Sequence, residues 1–416
     1  MTAFLDRYAL AFGGSPAMLL RLSGLDAAEI QAEGAWVTDT AGRRWLDFGS
    51  FGVHLLGHRH PTVVAAARNQ LGMIGLSTKI LGSEAAAACA EKLLRHTPSS
   101  VDRVLFANSG GECADAAVRI AMLASGRSEL ASLRGAYHGR TAGALALSEP
   151  GAGASWPAPA YPVNRLEPED LEGVQRVLEG RTVAALFVEP IQGEGGIRPL
   201  SAEFLAAIRR LCTRTGTLLV LDEIQTGLGR CGRLWRSADD CQPDILLAGK
   251  TLGGGLIPLA AAIYSSELIG SRETDPLVLA STFAGGALAG RVGGAVLDTV
   301  SRERFLAGVG GLGAAARAQL AAAFAGREEI VDVRGEGLMI GVECASPAFA
   351  GDVVMEALRR RLLITFCINR LPVLRVYPPA VVDASSLSSG IERLVGAVEA
   401  ASRNAERERG AAQISV

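Results

Sequence analysis

Two apolar runs, each ending in a charged residue, constrain the fold of this chain most strongly. Leu218–Leu221 is followed by Asp222, and Ile245–Ala248 is followed by Gly249 and Lys250. Short apolar runs of this kind predict buried strands of a parallel sheet, and the charged residues fall where each strand gives way to a loop. Active sites of open α/β sheets lie at the carboxyl ends of such strands. We therefore expect Asp222 and Lys250 to meet at one edge of the sheet.

A carboxylate and an amine at that edge are the groups that a pyridoxal phosphate enzyme requires. The lysine forms a Schiff base with the cofactor, and the carboxylate keeps the pyridine nitrogen protonated so that the ring can accept electrons. Taken alone, either residue favours a structural interpretation. A lysine after a strand is usually a solvated loop residue, and an aspartate that opens a turn is usually a cap.

A possible anion site lies upstream of these strands. Val104–Ala107 predicts a buried strand, Ser109-Gly110-Gly111 a turn, and Glu112 onward a helix. The first backbone N–H groups of a helix are unpaired and its dipole favours negative charge, so a phosphate could bind there. An ordinary strand-to-helix connection with Ser109 as the N-cap explains the segment equally well.

Strand-like and helix-like segments alternate between about residues 100 and 265, which predicts an α/β fold with a mostly parallel, doubly wound sheet. The chain has 416 residues, more than a single domain usually contains. We expect residues 1–60 to form the N-terminal segment of a smaller α+β domain, residues 61–300 a large cofactor-binding domain, and residues 301–416 the rest of the small domain. Around Asp26–Ala32 the sequence predicts the start of a helix.

Composition argues against several classes of function. Acidic and basic residues are interspersed with a net charge of −2, so no basic face for nucleic acid is predicted. The seven cysteines are scattered without a C-x-x-C pair, which argues against a disulfide framework and a zinc site. Neither a signal-peptide pattern nor an apolar run of about eighteen residues is present. We expect a cytoplasmic protein with no metal and with no membrane or nucleic-acid partner.

Eight motifs together resemble those of the class III aminotransferases, a pyridoxal phosphate family of fold type I. This family includes ornithine, acetylornithine, GABA and putrescine aminotransferases, and the resemblance runs from about Trp36 to Ala397. In chain order, the motifs are ANSGGE, AYHGRT, VEPIQGEGG, LDEIQTGLGRCG, PDILLAGKTLGGG, STFAGG, DVRGEGLMIGVE and LRVYPP. One such motif would be weak evidence, whereas eight in the family's order and spacing are highly specific.

The resemblance implies a role for each residue around the cofactor ring. Lys250 would form the Schiff base with pyridoxal 5'-phosphate and, once released, would carry a proton between the substrate carbon and the cofactor. Asp222 would pair with the pyridinium nitrogen, and Gln225 would reach the phenolic oxygen. Tyr137 and Ile224 would sandwich the ring.

The resemblance also implies that the active site lies at a subunit interface. In the family, a threonine from the neighbouring subunit completes the phosphate site, and Thr282 matches it, so a homodimer is expected. The implied cofactor-binding set comprises Ser109, Gly110, Gly111, Tyr137, His138, Glu189, Asp222, Ile224, Gln225, Lys250 and Thr282.

Four residues match substrate-binding positions of the family. Arg375 corresponds to the residue that binds a substrate carboxylate, and Glu194 to the carboxylate that masks it when an uncharged group must enter. Arg140 matches a second carboxylate binder of the GABA and ornithine enzymes, although support of its own loop explains it too. Phe51 stands where ornithine enzymes carry a tyrosine, which argues against specific ornithine transamination.

The implied reaction is the reversible transfer of an amino group between a primary amine, or the distal amine of an amino acid, and a keto acid. Ala284–Ala287 replaces the family's GGNP and lacks both the Asn and the Pro. Elimination or carbon–carbon bond formation through the substrate carbanion, in specialised biosynthesis, therefore stays open as an alternative. A non-enzymatic protein on this scaffold is disfavoured, because Lys250, Asp222 and Gln225 are all present.

Overall fold

The computed structural model describes residues 3–150, 161–237, 241–274 and 281–414. Its helices are α1 (Ala3–Phe12), α2 (Gly14–Leu22), α3 (Pro61–Leu71), α4 (Glu84–Leu94), α5 (Gly110–Ser125), α6 (Ala142–Leu147), α7 (Leu171–Glu179), α8 (Ala202–Thr215), α9 (Ala287–Val300), α10 (Glu303–Phe324), α11 (Pro347–Arg359) and α12 (Ala384–Ile414). Short 3-10 helices span Ser50–Gly52, Lys250–Gly253, Ser266–Leu268 and Gly270–Thr274.

The strands follow the same chain order. They are β1 (Glu29–Glu33), β2 (Trp36–Asp39), β3 (Arg44–Asp47), β4 (Arg103–Ala107), β5 (Glu129–Leu133), β6 (Val163–Leu166), β7 (Val183–Val188), β8 (Ile191–Gln192), β9 (Arg198–Pro199), β10 (Leu218–Asp222), β11 (Ile245–Ala248), β12 (Ala260–Tyr264), β13 (Ile330–Glu336), β14 (Met339–Cys344), β15 (Leu362–Leu363), β16 (Thr365–Cys367) and β17 (Arg370–Val376).

The central sheet has seven strands in the order β4-β12-β11-β10-β7-β5-β6. Strands β11, β10, β7, β5 and β6 pair in parallel, whereas β12 runs antiparallel to both of its neighbours, β11 and β4. The sheet is thus mostly parallel, and the α/β prediction is confirmed.

Helices cover both faces of this sheet, which explains why its strands are continuously apolar. Along β10, Leu219 and Leu221 point into one hydrophobic core, while Val220 points into the other. All six residues of β7 are buried. Alternate side chains of a strand point to opposite faces, so a strand covered on both sides needs apolar residues at every position.

Two four-stranded sheets have the strand orders β1-β2-β3-β15 and β13-β14-β17-β16, and β8 pairs with β9 in a two-stranded one. Strand β15 pairs in parallel with β3, so a segment from the C-terminal part of the chain extends the N-terminal sheet. Leu46 and Phe48 share a hydrophobic core with residues of α11 and α12. The division of the chain at residues 60 and 300 remains a proposal.

The prediction of a helix starting within Asp26–Ala32 is wrong. Residues Glu29–Glu33 form β1, which pairs antiparallel with β2 and carries mostly exposed side chains. Hydrogen bonding to the neighbouring hairpin, which the local sequence does not report, decides the conformation there. Within the described ranges, no helix combines the length and apolar character needed to cross a membrane.

Candidate active site

Asp222 and Lys250 line one cavity, of about 430 Å³, at the edge of the central sheet. Strands β10 and β11 are parallel neighbours, with Asp222 in register with Leu247. Lys250 follows two residues after the end of β11 and opens a 3-10 helix. The strand ends therefore deliver the carboxylate and the amine to the same place, as the sequence predicts.

The carboxylate of Asp222 is buried and hydrogen-bonded through both of its oxygens. Oδ2 lies 2.8 Å from Nδ1 of His138, and Oδ1 accepts a hydrogen bond of 3.0 Å from the backbone N–H of Ile224. Burial by itself lowers the pKa of His138, but the hydrogen bond and the charge of Asp222 outweigh it and raise that pKa. His138 and the Ile224 N–H thus hold the negative charge of Asp222 in a fixed orientation inside the protein.

Lys250 has an unusual backbone conformation and a shifted pKa. Its φ is 43°, in the left-handed region that residues with a Cβ rarely occupy. Burial lowers the pKa of its amine, against the opposing charges of Glu194 and Asp222. A lysine with a lowered pKa is more often unprotonated at neutral pH, and only that form is a nucleophile or a base.

The turn before α5 forms an anion cradle on the wall of this cavity. Helix α5 begins at Gly110, and Ser109 is its N-cap, accepting a 3.2 Å hydrogen bond from the N–H of Glu112. A Cβ at Gly110 would lie 2.8 Å from Cδ1 of Ile224, closer than atoms can pack. Glycine therefore brings the backbone N–H groups of the helix start up to the cavity.

Glu189 connects two loops that border the cavity. Its Oε1 accepts a 2.8 Å hydrogen bond from the N–H of Tyr137, and its Oε2 accepts one of 3.1 Å from the N–H of Gly193. Burial raises the pKa of Glu189 to about 7. Glu189 thus holds the Tyr137 loop and the Gly193 loop in place.

Gln225 has a partner that sequence reasoning missed. Its side chain is buried, and its Oε1 accepts a 2.7 Å hydrogen bond from the hydroxyl of Tyr377. Tyr377 belongs to the LRVYPP motif, but the 152 positions between the two residues leave no local signal that they touch. The sequence offers one hint: Tyr377 comes two residues after Arg375, a spacing that places both side chains on the same face of an extended segment.

The structure brings ten of the eleven predicted cofactor-binding residues together. Arg140, one of the predicted substrate-binding residues, also lines the cavity. The full lining is Ser109, Gly110, Gly111, Tyr137, His138, Gly139, Arg140, Thr141, Glu189, Asp222, Ile224, Gln225 and Lys250. Gly139 and Thr141 are additions, and both lie in the AYHGRT motif.

Thr282 is the eleventh residue, and it lies elsewhere in the chain's own fold. It is exposed and lines a separate cavity together with Lys79, Phe106 and Ala284. The Lys79 ammonium donates a hydrogen bond to the carbonyl oxygen of Ala284, which ties the Thr282 loop to the segment before α4. Within one chain, Thr282 therefore takes no part in the cavity around Lys250.

Arg375 and Glu194 form a buried ion pair outside the lining of the Lys250 cavity. Nη1 of Arg375 bonds to Oε1 of Glu194, with side chains that are only 1% and 4% exposed. The other oxygen, Oε2, accepts a 2.9 Å hydrogen bond from the N–H of Ile368. Among the described residues, Nη2 of Arg375 has no hydrogen-bond partner. A buried donor of this kind is ready to bind an added acceptor such as a carboxylate.

Phe51 covers the same arginine. Its ring centroid lies 5.0 Å from Cζ of Arg375, a distance at which a guanidinium and an aromatic face attract each other. The Phe51 side chain is 58% exposed. Phe51, Arg375 and Glu194 thus form one cluster, whereas Arg140 is exposed and lines the Lys250 cavity.

These features fit pyridoxal phosphate. A helix N-terminus that carries glycine and serine suits its phosphate, and the fixed carboxylate of Asp222 suits a protonated ring nitrogen. The amine of Lys250, with its lowered pKa, suits covalent attachment. The side chains of Tyr137 and Ile224 line the same cavity and suit the two faces of an aromatic ring.

Comparison with known proteins identifies one family for this chain. The model of the family described as Aminotransferase class-III matches residues 25–398. Acetylornithine aminotransferase 1 of Bordetella parapertussis is 34% identical over 373 residues, covering 87% of this chain and 92% of that protein. The acetylornithine aminotransferase of Mycolicibacterium smegmatis is 34% identical over 381 residues, covering 90% of this chain and 94% of that protein.

Solved structures agree with this. The ornithine aminotransferase of Toxoplasma gondii, whose active site holds PLP at partial occupancy, superposes with a TM-score of 0.83 at 27% identity, covering 97% of this chain and 99% of that one. Ornithine delta-aminotransferase of Plasmodium falciparum superposes with a TM-score of 0.80 at 22% identity, covering 96% and 98%. The second match supports the fold alone.

Proposed function

The chain belongs to the class-III aminotransferases, and from that membership we propose that the cavity around Lys250 is the centre at which it transfers amino groups. The enzyme is a pyridoxal-phosphate-dependent aminotransferase of fold type I, acting between an amine or amino acid and a keto acid. The relatives to which it is similar are aminotransferases, so elimination or carbon–carbon bond formation is not favoured.

The observation that carries the residue assignments is the meeting of Lys250 with the fixed Asp222–His138 pair in one cavity. Bound pyridoxal phosphate supplies an electron sink next to the substrate carbon. Lys250 would hold the cofactor covalently before reaction and, once released by substrate, would carry the proton between the substrate carbon and the cofactor. Asp222 keeps the ring nitrogen protonated, because His138 and the Ile224 N–H hold its charge in place.

The remaining cavity residues hold and orient the group. Ser109, Gly110 and Gly111 bind its phosphate through the donors at the start of α5. Tyr137 and Ile224 flank its ring. Gln225 donates to its phenolic oxygen, and His138 and Glu189 act through the residues they fix. In this proposal the cofactor is bound almost entirely by groups that are already in position.

Arg375 and Glu194 form the substrate half of the site. Arg375 binds the carboxylate of the keto acid, using the Nη2 that has no partner among the described residues. When an amino donor binds whose reacting carbon carries no carboxylate, Glu194 remains paired with Arg375 and cancels its charge. The space beside Arg375 can thus accept a carboxylate in one half-reaction and an uncharged group in the other.

Phe51 and Arg140 adjust which donor fits. Phe51 offers an apolar surface over Arg375 and no hydroxyl for a second amino group, which disfavours free ornithine relative to a donor without that charge. Arg140 lies exposed at the cavity and can contact a distal carboxylate of the donor. We therefore place N-acylated ornithine and related ω-amino acids ahead of ornithine and putrescine as donors.

The active unit in this proposal is a homodimer in which Thr282 of one subunit binds the cofactor phosphate of the other. Two observations support it: Thr282 is exposed and apart from the cavity of its own chain, and large apolar side chains are exposed beside it and on the segment that Lys79 ties to its loop. Ile80 is 92% exposed, Leu81 74% and Phe283 61%. Such a cluster is typical of a surface that a partner covers. A cytoplasmic location stays a prediction.

The proposed function is tested by following the amino nitrogen. The holoenzyme is incubated with 2-oxoglutarate and, in turn, with distal-¹⁵N-labelled N-acetylornithine, ornithine, GABA and putrescine, and the products are read by mass spectrometry. We expect labelled glutamate, formed fastest with N-acetylornithine. Products that lack the label, or release of labelled ammonia in its place, would contradict transamination.

A further inference from the structure

Tyr377 is buried behind the cavity, and the mechanism proposed above assigns it no task. It follows β17 directly and is 3% exposed. Its hydroxyl donates a 2.7 Å hydrogen bond to Oε1 of Gln225. Gln225 itself lines the cavity, so Tyr377 touches the site through one side chain.

The side-chain amide of glutamine has two unlike ends, and a protein must choose which of them faces a ligand. Burial raises the pKa of the Tyr377 hydroxyl well above its usual range, so the proton stays on the oxygen. A buried hydroxyl proton needs an acceptor, and Oε1 of Gln225 is the one it has among the described residues. With Oε1 occupied by that proton, the Nε2 end of Gln225 is left to donate elsewhere.

The ring of Tyr377 is held tightly enough to enforce this choice. A Cβ at Gly52 would lie 3.2 Å from ring atoms Cδ2 and Cε2, so the ring packs against bare backbone. On another side, Cζ of Arg230 lies 5.4 Å from the ring centroid. The backbone N–H of Tyr377 donates a 2.7 Å hydrogen bond to the carbonyl oxygen of Phe48. Segments that are distant in sequence thus fix one tyrosine.

Arg230 is part of the same arrangement. It is 1% exposed and donates to three backbone carbonyl oxygens, those of Gly52 at 3.3 Å, Leu338 at 3.3 Å and Pro378 at 3.0 Å. Two of these carbonyls belong to residues that contact or adjoin Tyr377. The guanidinium therefore ties together backbone segments that surround the ring of Tyr377.

We infer that Tyr377 is a positioning residue that locks the amide of Gln225 with its Nε2 towards the phenolic oxygen of the cofactor. The inference rests on the proposed role of Gln225 and adds the group that fixes its orientation. Donation into Oε1 also polarises the amide, which makes Nε2 a stronger donor. The consequence is a more firmly stabilised negative charge on the phenolic oxygen.

The test is a pH titration of the absorbance of the lysine-bound cofactor in the holoenzyme, with Tyr377→Phe compared with the parent. If Gln225 donates a weaker hydrogen bond, the phenolic oxygen keeps more of its negative charge. That charge stabilises the protonated Lys250 nitrogen more strongly. We expect the midpoint to move to higher pH by about half a unit or more, the size expected for one hydrogen bond. The charged groups near Lys250, which are Asp222, Glu189, Glu194 and Arg375, stay the same in every variant.

Tyr264→Phe is the matched control. Tyr264 is also 3% exposed, but it lies at the end of β12 that pairs with Arg103 and Ile245, away from the cavity. We expect no movement of the midpoint in this variant. Equal shifts in Tyr264→Phe and Tyr377→Phe would mean a general effect of losing a buried hydroxyl and would overturn the inference.

Gln225→Ala separates the inference from the function on which it rests. This variant should move the midpoint at least as far, and adding Tyr377→Phe to it should move it no further, because both act through one contact. If Gln225→Ala leaves the midpoint unchanged, the proposed role of Gln225 fails, and the inference fails with it. If Gln225→Ala moves the midpoint and Tyr377→Phe does not, the inference alone is wrong.

A second substitution keeps the test decisive if Tyr377→Phe gives no folded holoenzyme. Site-specific 3-fluorotyrosine at position 377 keeps the hydroxyl and makes it more acidic, hence a stronger donor. The expected shift is then in the opposite direction, to lower pH. An unchanged midpoint with fluorotyrosine contradicts the inference.

Discussion

Asp222 and Arg375 are both buried charges in the same region, yet the protein satisfies them in opposite ways. Asp222 has a partner at each oxygen, His138 at Oδ2 and the Ile224 N–H at Oδ1. Arg375 has one carboxylate partner, Glu194, and an Nη2 that bonds to none of the described residues. A fully bonded buried charge is a fixed part of the structure, whereas a buried donor left open costs free energy that a bound ligand can recover. The cofactor-binding half of the site, around Asp222, is therefore preorganised. The substrate-binding half, around Arg375, is completed only when a substrate binds.

The largest effect is expected from the residue that joins the two halves. Lys250→Ala should lower turnover by roughly 10⁴-fold or more, because both the covalent attachment and the proton carrier are lost. The absorbance band of the lysine-bound cofactor should vanish while the far-ultraviolet circular dichroism stays unchanged. Lys92→Ala is the control, since Lys92 pairs with Asp298 on the surface and should keep full activity. Turnover above a trace in Lys250→Ala would remove Lys250 from its role.

A substitution in the cofactor-binding half of the site should cause a large loss of rate without loss of bound cofactor. Asp222→Asn keeps the shape of the side chain and removes the charge, so turnover should fall by roughly 10²-fold as the ring becomes a poorer electron sink. Cofactor content, read from absorbance after dialysis, should change little. An unchanged turnover number would show that the charge of Asp222 is not used in the reaction.

A substitution in the substrate-binding half of the site should give a different kinetic signature. Arg375→Ala should raise the KM of the keto acid by about 10- to 100-fold, the size of a lost charge-assisted hydrogen bond, with a smaller change in kcat. Arg370→Ala is the matched control, because Arg370 lies on the same strand but is 56% exposed and pairs with Glu343. A fall in kcat alone would assign Arg375 to the chemistry and break the distinction between the two halves.

The smallest effect is expected for Thr282, the predicted phosphate-binding residue that does not line the cavity of its own chain. Thr282→Ala should weaken cofactor binding about 5-fold, the value of one hydrogen bond, as measured by equilibrium titration of the apoenzyme with pyridoxal phosphate. Mixing this variant with Lys250→Ala subunits should create hybrids with one intact site, because Lys250 and Thr282 then come from different subunits. If the mixture shows no site with the parent's affinity, Thr282 does not act across an interface.

The sequence predicts those parts of the site that depend on local pattern. Asp222 and Lys250 follow strands that must be apolar on both faces, and parallel strands end at a common edge. Ser109 and Gly110 lie where a strand gives way to a helix, and the structure starts α5 there. In each case the chemistry is fixed by the element on which the residue stands, and that element can be recognised within a short window.

Contacts between distant segments are beyond such reasoning. Arg375 and Glu194 are 181 positions apart, and Tyr377 and Gln225 are 152 apart, so neither pairing leaves a local trace. The pair Arg375–Glu194 was predicted only through family resemblance, and the contact of Tyr377 with Gln225 was not predicted. The same cause explains the error at Glu29–Glu33, where pairing with a neighbouring strand overrides the local preference.

The central claim is that this site transfers amino groups in two separate half-reactions, and a single-turnover experiment tests it most directly. The purified holoenzyme is mixed with each amino donor in the absence of any keto acid, while the cofactor absorbance and the products are followed. We expect one donor to convert the cofactor to its amine form, with one equivalent of aldehyde or keto acid per site and no further product until 2-oxoglutarate is added. Continued product formation without a keto acid, or no conversion of the cofactor with any donor, would contradict the account.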